Sequence, residues 1–284
     1  MTTKIRNVTV LGTGVLGSQI AYQSAFQGFP VIAYDIDDAA VALARQRFRK
    51  LVDTYRAEVP GGEDGAEAAL DRIVLTTNLA QAAADADLII EAIPEILDLK
   101  RQTYEKLGSL APAKTIFATN SSTLLPSDLK DSTGRPDRFL ALHFANKIWF
   151  SNIAEVMGTP DTDPEVFDEI VAFAEAIGMV PIQIHQEKAG YVLNTLLVPF
   201  LRAALELVAG GYAEPGDVDN TWRIGTGAPA GPFQIYDIIG LRTPYNIMAH
   251  GDADAQQLAA WLKQNYIDRG KLGLESGQGF YKYL

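Results

Sequence analysis

The sequence predicts an α/β fold in which an N-terminal Rossmann-type, mainly parallel sheet is followed by a second, smaller, all-helical C-terminal domain. Three observations support this prediction. A glycine-rich turn follows the first apolar run, short apolar runs then alternate with helical patterns as far as Glu187, and only helical periodicity continues from there to Leu284. We therefore place the two domains at residues 1–187 and 188–284.

The first elements are typical of a dinucleotide-binding unit. Residues 8–11 predict a strand, residues 18–26 predict a helix, and the turn between them reads Gly12-Thr13-Gly14-Val15-Leu16-Gly17. In such a turn the first glycine permits the tight bend, the second admits backbone N–H groups to a pyrophosphate, and the third lets helix and strand pack closely. The N-terminus of the helix then faces the anion.

An acidic residue at the end of the second strand indicates which cofactor is bound. The apolar run at residues 31–34 ends on Asp35, at about the 20-residue distance expected for a ribose-binding carboxylate. Such a carboxylate accepts hydrogen bonds from the adenosine ribose and repels a 2′-phosphate. We therefore predict NAD rather than NADP as the cofactor.

The alternation of strands and helices continues along the chain. A helix over residues 38–58 ends at Pro60-Gly61-Gly62, and a loop and a short helix follow. Further strands are predicted at residues 74–76, 88–93, 115–118, 139–144 and 152–157, and further helices at residues 79–86 and 98–110. Ligands gather at the carboxyl ends of parallel strands, where this chain carries Asn120-Ser121-Ser122 and His143.

The helical domain contains one long apolar segment and one break. Residues 191–208 are apolar on nearly every face of a helix, and a Gly/Pro-rich break follows at residues 225–232. A domain of this size can hardly cover such a helix alone, so we expect it to be buried inside the domain or against another subunit. We predict a homodimer formed by this domain.

Composition excludes several classes of protein. The 284 residues are 48% hydrophobic, carry a formal net charge of −11 and include no cysteine. The negative charge argues against nucleic acid as a partner, and the absence of cysteine removes disulfides, thiolate metal sites and thiol catalysis. Residues 1–7 are polar and residues 191–208 carry too many polar groups for a membrane span. We predict a cytoplasmic protein with no metal and no membrane partner.

A histidine and a glutamate are the predicted proton carriers. The chain has 3 histidines, and only His143 ends a strand at the expected cofactor edge. Hydride transfer between NAD and an alcohol needs a group that takes the hydroxyl proton, and imidazole suits this role. If the chain doubles back after Trp149, Glu155 reaches the other imidazole nitrogen and stabilises the imidazolium.

Three polar side chains are candidates to bind the substrate oxygen. Ser122, Asn146 and Asn194 can each donate a hydrogen bond where negative charge develops on the carbonyl oxygen. Together with His143 and Glu155, these side chains form the predicted acid–base site. A protein that only binds NAD has no need for an oriented base, so the set favours an enzyme.

The order of several motifs identifies a family. The segments Asn120-Ser121-Ser122-Thr123, His143-Phe144-Ala145-Asn146, Gly190-Tyr191-Val192-Leu193-Asn194, Gly231-Pro232-Phe233 and Gly277-Gln278-Gly279-Phe280-Tyr281-Lys282-Tyr283 resemble the L-3-hydroxyacyl-CoA dehydrogenase family over nearly the whole chain. Within that family the chain looks most like the diketoreductases. The resemblance implies an NAD-dependent oxidoreductase of fatty acid metabolism that acts reversibly on a 3-keto or 3-hydroxy group.

The resemblance also implies roles for individual residues. It assigns catalysis to His143 and Glu155, with Ser122, Asn146 and Asn194 around the substrate oxygen. It adds Glu95 and Lys100 to the cofactor contacts, together with Ser122 and Asn146. Without the resemblance, Lys100 would be interpreted as an ordinary exposed lysine on a helix.

This chain departs from the family pattern next to the site. The family usually has Phe-Phe-Asn-Pro after the histidine, whereas this chain has Phe144-Ala145-Asn146-Lys147 followed by Trp149. Trp222 replaces a residue that is often methionine. We predict that Trp149 and Trp222 line the substrate site, with the helical domain closing over the crevice.

The substrate stays open between three classes. A CoA thioester would need a basic surface, for which Arg45, Arg49 and Arg56 on one face of a helix are candidates, although such faces are usually solvated. A β-keto or β,δ-diketo ester is the second class. A sugar acid, as for L-gulonate 3-dehydrogenase, is the third, and a non-catalytic NAD-binding protein remains the alternative to an enzyme.

Overall fold

The computed structural model describes residues 2–283 and divides into two compact units. The first unit extends to Val192 and the second begins at Leu193. The sequence-based boundary lies five residues earlier, because residues 188–192 follow the last strand and pack with the first unit. No helix within residues 2–283 combines the length and apolarity needed to cross a membrane.

The first unit is built on one eight-stranded sheet with the order β3-β2-β1-β4-β5-β6-β7-β8. Its neighbours pair in parallel, except that β6 and β7 are antiparallel. The strands are β1 (Val8–Leu11), β2 (Val31–Tyr34), β3 (Ile73–Thr76), β4 (Leu88–Glu91), β5 (Ile116–Thr119), β6 (Phe139–Phe144), β7 (Ile153–Gly158) and β8 (Val180–Ile184). This arrangement confirms the predicted Rossmann-type, mainly parallel sheet.

Helices cover this sheet and complete the first unit. They are α1 (Val15–Phe26), α2 (Asp38–Glu58), α3 (Gly62–Leu70), α4 (Leu79–Ala83), α5 (Leu97–Leu110) and α6 (Pro164–Ala176). Every residue of β1, β4, β5 and β6 is buried, which explains why these strands are continuous apolar runs rather than alternating ones. The strand order reverses between β1 and β4, and in such sheets ligands bind at that point.

The second unit is helical in its described residues apart from two isolated β-bridges near its end. It contains α7 (Leu193–Ala209), α8 (Pro215–Thr226), α9 (Pro232–Ile239), α10 (Arg242–Ala249) and α11 (Ala253–Asn265). The predicted break at residues 225–232 separates α8 from α9. The second, all-helical domain is therefore confirmed.

Of the two expected ways to bury the long apolar helix, coverage by its own domain accounts for one part of its surface only. Helix α7 buries only Leu201, Ala204 and Leu205, whereas Leu196 is 68% exposed and Leu207 is 44% exposed. The apolar residues surround the helix, but the other helices of the unit pack against one face only. The alternative, burial against another subunit, stays a prediction.

Two buried aspartates hold the C-terminal segment of the second unit. Asp237 accepts hydrogen bonds from the N–H groups of Phe280 and Tyr281 and from the hydroxyl of Tyr283. Asp219 accepts hydrogen bonds from two backbone N–H groups at the start of α9 and from the Tyr281 hydroxyl. Burial raises the pKa of Asp237, and the nearby charge of Asp219 raises it further.

Candidate active site

A cleft of about 270 Å³ opens at the point where the strand order reverses. It is lined by the glycine turn after β1, by the chain after β4 and by the chain after β5. The lining residues are Gly14, Val15, Leu16, Gly17, Ala92, Ile93, Glu95, Lys100, Asn120, Ser122 and Thr123. The cleft therefore brings together most of the predicted cofactor-binding residues.

The glycines of the turn meet the requirements of a pyrophosphate-binding loop. Gly12 has φ +87°, and a Cβ on Gly17 would lie 1.9 Å from the carbonyl oxygen of Gly12, so neither position tolerates a side chain. A Cβ on Gly14 would meet no atom within 4 Å, which leaves open space beside the N-terminus of α1. That space and the free N–H groups of the first helical turn fit the pyrophosphate of NAD.

Asp35 is held in place by the glycine turn. One carboxylate oxygen accepts hydrogen bonds from the N–H of Thr13 at 2.8 Å and from its hydroxyl at 2.5 Å, and the other accepts the N–H of Ile36 at 2.8 Å. Asp35 is only partly buried. A carboxylate fixed at the end of β2 fits the predicted contact with a ribose hydroxyl.

Lys100 is almost completely buried, contrary to what its helix position alone suggests. Only 1% of its side chain is exposed, and its ammonium group lies 2.5 Å from Glu91 and 3.2 Å from Glu95. Glu91 ends β4 and is fully buried. Burial raises the pKa of Glu91, although the charge of Lys100 opposes this shift. The sequence reasoning missed Glu91, whose signal is a single acid inside an apolar strand.

Glu95 organises the loop after β5. Its carboxylate accepts hydrogen bonds from the hydroxyl of Ser121, from the N–H of Ser122 and from both the N–H and the hydroxyl of Thr123. Burial opposes ionisation of Glu95, but these hydrogen bonds and the charge of Lys100 outweigh it and lower the pKa of Glu95 to about 2. Glu95 therefore carries its negative charge throughout the neutral range.

Ser122, His143 and Glu155 form one hydrogen-bonded chain. The polypeptide doubles back between β6 and β7, so that His143 lies directly opposite Glu155 in this antiparallel pair of strands. Nδ1 of His143 is 2.9 Å from Oε2 of Glu155, and Nε2 is 3.0 Å from Oγ of Ser122. His143 and Glu155 are 4% and 1% exposed, so water competes little for these contacts.

The turn between β6 and β7 carries Asn146 at the surface. The N–H groups of Lys147 and Ile148 donate to the side-chain oxygen of Gln19 on α1. Lys147 has φ +59°. Proline can neither adopt this φ nor donate this hydrogen bond, so the proline of the family pattern would not fit the turn that presents Asn146.

The other predicted residues lie elsewhere. The indole of Trp149 packs against Tyr55 and donates a 2.7 Å hydrogen bond to Glu58, both on α2. On the same helix, Arg56 is paired with Glu67 at 2.7 Å, while Arg45 and Arg49 are exposed.

Asn194 and Trp222 belong to the second unit. Asn194 is the second residue of α7 and borders an apolar groove between α7 and α10. Trp222 lies on α8, packs against Phe200 of α7 with ring centroids 4.4 Å apart, and is 39% exposed.

Tyr191 was missed as a member of the site. Its ring stacks on the imidazole of His143 with centroids 4.4 Å apart and an interplanar angle of 11°. The sequence places it in a motif next to Asn194, but nothing in that motif shows that its ring reaches a histidine 48 residues earlier in the chain.

The family models of the 3-hydroxyacyl-CoA dehydrogenases match nearly the whole chain. The NAD-binding domain matches residues 7–188, and the C-terminal domain matches residues 190–283. Among curated proteins, the mitochondrial hydroxyacyl-coenzyme A dehydrogenase of Homo sapiens is 33% identical over 289 residues, covering 98% of this chain and 91% of the human protein.

Solved structures are also similar to this chain over nearly its whole length. A diketoreductase, described for the substrate-directed dual catalysis of dicarbonyl compounds, is 63% identical, covers 100% of both chains and has a TM-score of 0.96. The (S)-3-hydroxybutyryl-CoA dehydrogenase of Ralstonia eutropha is 28% identical, with 99% of this chain and 100% of that chain covered and a TM-score of 0.83.

Proposed function

The chain belongs to the 3-hydroxyacyl-CoA dehydrogenase family and is an NAD-dependent oxidoreductase, and from this premise we propose that it reduces a β-keto or β,δ-diketo ester. The single observation that carries the proposal is the 63% identity to a diketoreductase over 100% of both chains. The reversible reaction interconverts a 3-keto and a 3-hydroxy group.

His143 is the proposed acid of the reduction. When bound in the cleft, NADH supplies the hydride. For a keto substrate in the cleft, Nε2 of His143 would give a proton to the carbonyl oxygen, and the imidazole would end neutral. In the oxidation, Nε2 takes the hydroxyl proton back. The 3.0 Å distance between Nε2 of His143 and Oγ of Ser122 supports this role, because it shows that an oxygen atom can approach Nε2 to hydrogen-bonding distance.

Glu155 is the proposed partner that stabilises the charged imidazole. A carboxylate only accepts hydrogen bonds, so Nδ1 of His143 keeps its proton and Nε2 is the nitrogen that exchanges one with substrate. Oε1 of Glu155 also accepts the N–H of Val192 at 2.9 Å, which fixes the carboxylate in one orientation. The geometry therefore supports the division of roles expected for a buried histidine–carboxylate pair.

Ser122 and Asn146 are proposed to bind the substrate oxygen, and the role of Asn194 stays a prediction. Ser122 is oriented from two sides, because its N–H donates to Glu95 and its hydroxyl meets His143. Asn146 is exposed on the turn that Gln19 holds. A donor in a fixed position stabilises charge on the oxygen without reorganisation, which is commonly worth about 3 kcal/mol.

A direct comparison of substrates tests the proposal. NADH oxidation is measured with a β,δ-diketo ester and with acetoacetyl-CoA, and NAD reduction is measured with L-gulonate. We expect the highest kcat/KM with the diketo ester. A clear preference for acetoacetyl-CoA would assign the chain to thioesters, turnover of L-gulonate alone would assign it to sugar acids, and NADH binding without any turnover would support the non-catalytic alternative.

A homodimer is the proposed assembly, and exposed apolar side chains of the second unit support it. Leu196 is 68% exposed, Ile224 is 84% exposed and Ile247 is 48% exposed, although all three are apolar. Sedimentation of the protein at micromolar concentration tests the dimer, and a monomer there would contradict it. Assignment to the cytoplasm and to fatty acid metabolism stays a prediction.

A further inference from the structure

Tyr191 contacts the proposed proton relay from several sides. Its ring stacks on His143 at 4.4 Å, its hydroxyl donates a 2.7 Å hydrogen bond to the carbonyl oxygen of Ser121, and the N–H that follows it, on Val192, donates to Glu155. Tyr191 is only 2% exposed. Tyr191 thus contacts the imidazole of His143 and the peptide before Ser122. The N–H of Val192, the next residue, binds the carboxylate of Glu155.

The backbone of Tyr191 is strained in a way that this arrangement requires. Tyr191 has φ +53°, a left-handed conformation that residues with a Cβ rarely adopt, and Gly190 before it has φ +80°. The two left-handed residues turn the chain sharply, so that the ring faces His143 while the next N–H faces Glu155. An ordinary core aromatic needs no such backbone conformation, and strain of this kind collects at functional sites.

We propose that Tyr191 is a positioning residue that fixes the imidazole of His143 in the plane shared with Ser122 and Glu155; the inference rests on the proposed role of His143. An imidazole with partners at both nitrogens can still tilt about the line that joins them. A parallel ring on one face removes this tilt, and the hydroxyl of Tyr191 prevents the ring itself from sliding, because it is anchored to Ser121.

Two substitutions separate the ring from the hydroxyl. Tyr191→Leu removes the stacked ring but keeps the site apolar, and Tyr191→Phe keeps the ring but removes the anchor on Ser121. We expect kcat to fall about 100-fold in the first, because small misplacements of a catalytic group have effects of this size, and to fall less than about fivefold in the second. The dissociation constant of NADH should stay within about twofold in both.

Tyr22 provides a matched control in the same unit. It is also fully buried, its hydroxyl also donates to a backbone carbonyl, that of Ala66, and its ring also packs against another aromatic ring, that of Tyr55. Tyr22→Leu should lower the melting temperature as Tyr191→Leu does. It should leave kcat per folded molecule unchanged, because none of these contacts involves His143.

The decisive readout is the proton NMR signal of the His143 Nδ1 proton shared with Glu155, assigned by its loss in His143→Gln. We expect a sharp signal in the wild type, Tyr191→Phe and Tyr22→Leu, and loss or broadening in Tyr191→Leu. A folded Tyr191→Leu that keeps both the signal and its kcat would overturn the proposal, as would a wild type without the signal. Tyr191→Met, similar in size and flexible, replaces the leucine variant if that one fails to fold.

The two proposals fail in different ways. A wild type that shows the signal but turns over none of the keto substrates would contradict the proposed function, while loss of the signal in Tyr191→Leu would still support the positioning role. If the wild type turns over a keto substrate and Tyr191→Leu keeps both the wild-type kcat and the Nδ1 proton signal, only the positioning role is contradicted.

Discussion

Glu155 in the first unit and Asp237 in the second are both buried carboxylates, with 1% and 0% of their surface exposed. Their partners differ. Glu155 meets an imidazole, whose other nitrogen reaches a serine that borders the cleft. Asp237 meets two backbone N–H groups and a tyrosine hydroxyl, none of which changes its charge near neutral pH. Glu155 therefore supports the proposed proton transfer at the imidazole, whereas Asp237 holds backbone and a tyrosine side chain in place.

One glycine in each unit shows a related difference. Gly279 packs so closely on Asp237 that a Cβ there would lie 1.9 Å from the carboxylate, which closes the site. Beside the cleft, Gly14 leaves open space instead. The first unit thus combines buried charge with an entrance, whereas the second encloses its charge completely.

His143→Ala should nearly abolish turnover. It removes the imidazole through which the Ser122–His143–Glu155 chain is proposed to exchange a proton with substrate, and acid–base support of this kind is worth roughly 10²- to 10⁴-fold. NADH affinity, measured by fluorescence, should change little, because the ribose and pyrophosphate contacts lie elsewhere. Near-normal kcat in this variant would require another proton carrier.

Asp237→Ala should cost stability rather than chemistry. It leaves the N–H groups of Phe280 and Tyr281 and the hydroxyl of Tyr283 without their acceptor, and each buried donor left unsatisfied costs about 1–3 kcal/mol. We expect a loss of about 3 kcal/mol or more in urea unfolding, with kcat per folded molecule unchanged. A selective loss of kcat at full stability would contradict a purely structural role for Asp237.

Asp35→Ala should weaken the preference for NADH over NADPH. Asp35 resembles Asp237 in accepting backbone N–H groups, but it is only partly exposed to solvent at the cofactor edge and there would meet a 2′-phosphate as a like charge. Like charges in contact cost several kcal/mol. The ratio of kcat/KM for the two cofactors measures the effect, and equal wild-type values would remove Asp35 from the ribose site.

Trp222→Val distinguishes a substrate role from a packing role in the second unit. A tryptophan that limits the substrate should, once truncated, improve kcat/KM for bulky keto esters relative to small ones, because each accommodated methylene is worth about 1 kcal/mol or more. A tryptophan that only packs on Phe200 should lower the melting temperature and leave that ratio unchanged. Measuring both quantities on one preparation assigns Trp222 to one role.

The substitution Glu95→Gln should have the smallest effect, which is a change in how the stability of the protein depends on pH. Its pKa is lowered to about 2 from the usual 4.5, so its contribution to stability is fully present above pH 4.5 and is lost as the pH falls towards 2. The difference in melting temperature between wild type and Glu95→Gln should therefore shrink over this range. A difference that stays constant down to pH 3 would contradict the assignment.

The sequence alone determined the fold class, the glycine turn, the cofactor and the family. These depend on local signals. An apolar run predicts a strand, apolar residues with a period of 3.6 predict a helix, and glycines at fixed spacing followed by an acid predict the dinucleotide-binding turn. The pairing of His143 with Glu155 was also accessible, because a short reversal between two adjacent strands brings them opposite each other.

Only the tertiary structure decided which side chains meet over long stretches of chain. It stacked Tyr191 on His143, buried Lys100 between two glutamates, turned Trp149 towards α2 and left much of α7 exposed. Periodicity states which residues prefer to be buried, but not against which partner. That choice depends on register, on left-handed turns such as Gly190–Tyr191, and on how many helices are available to cover an apolar face.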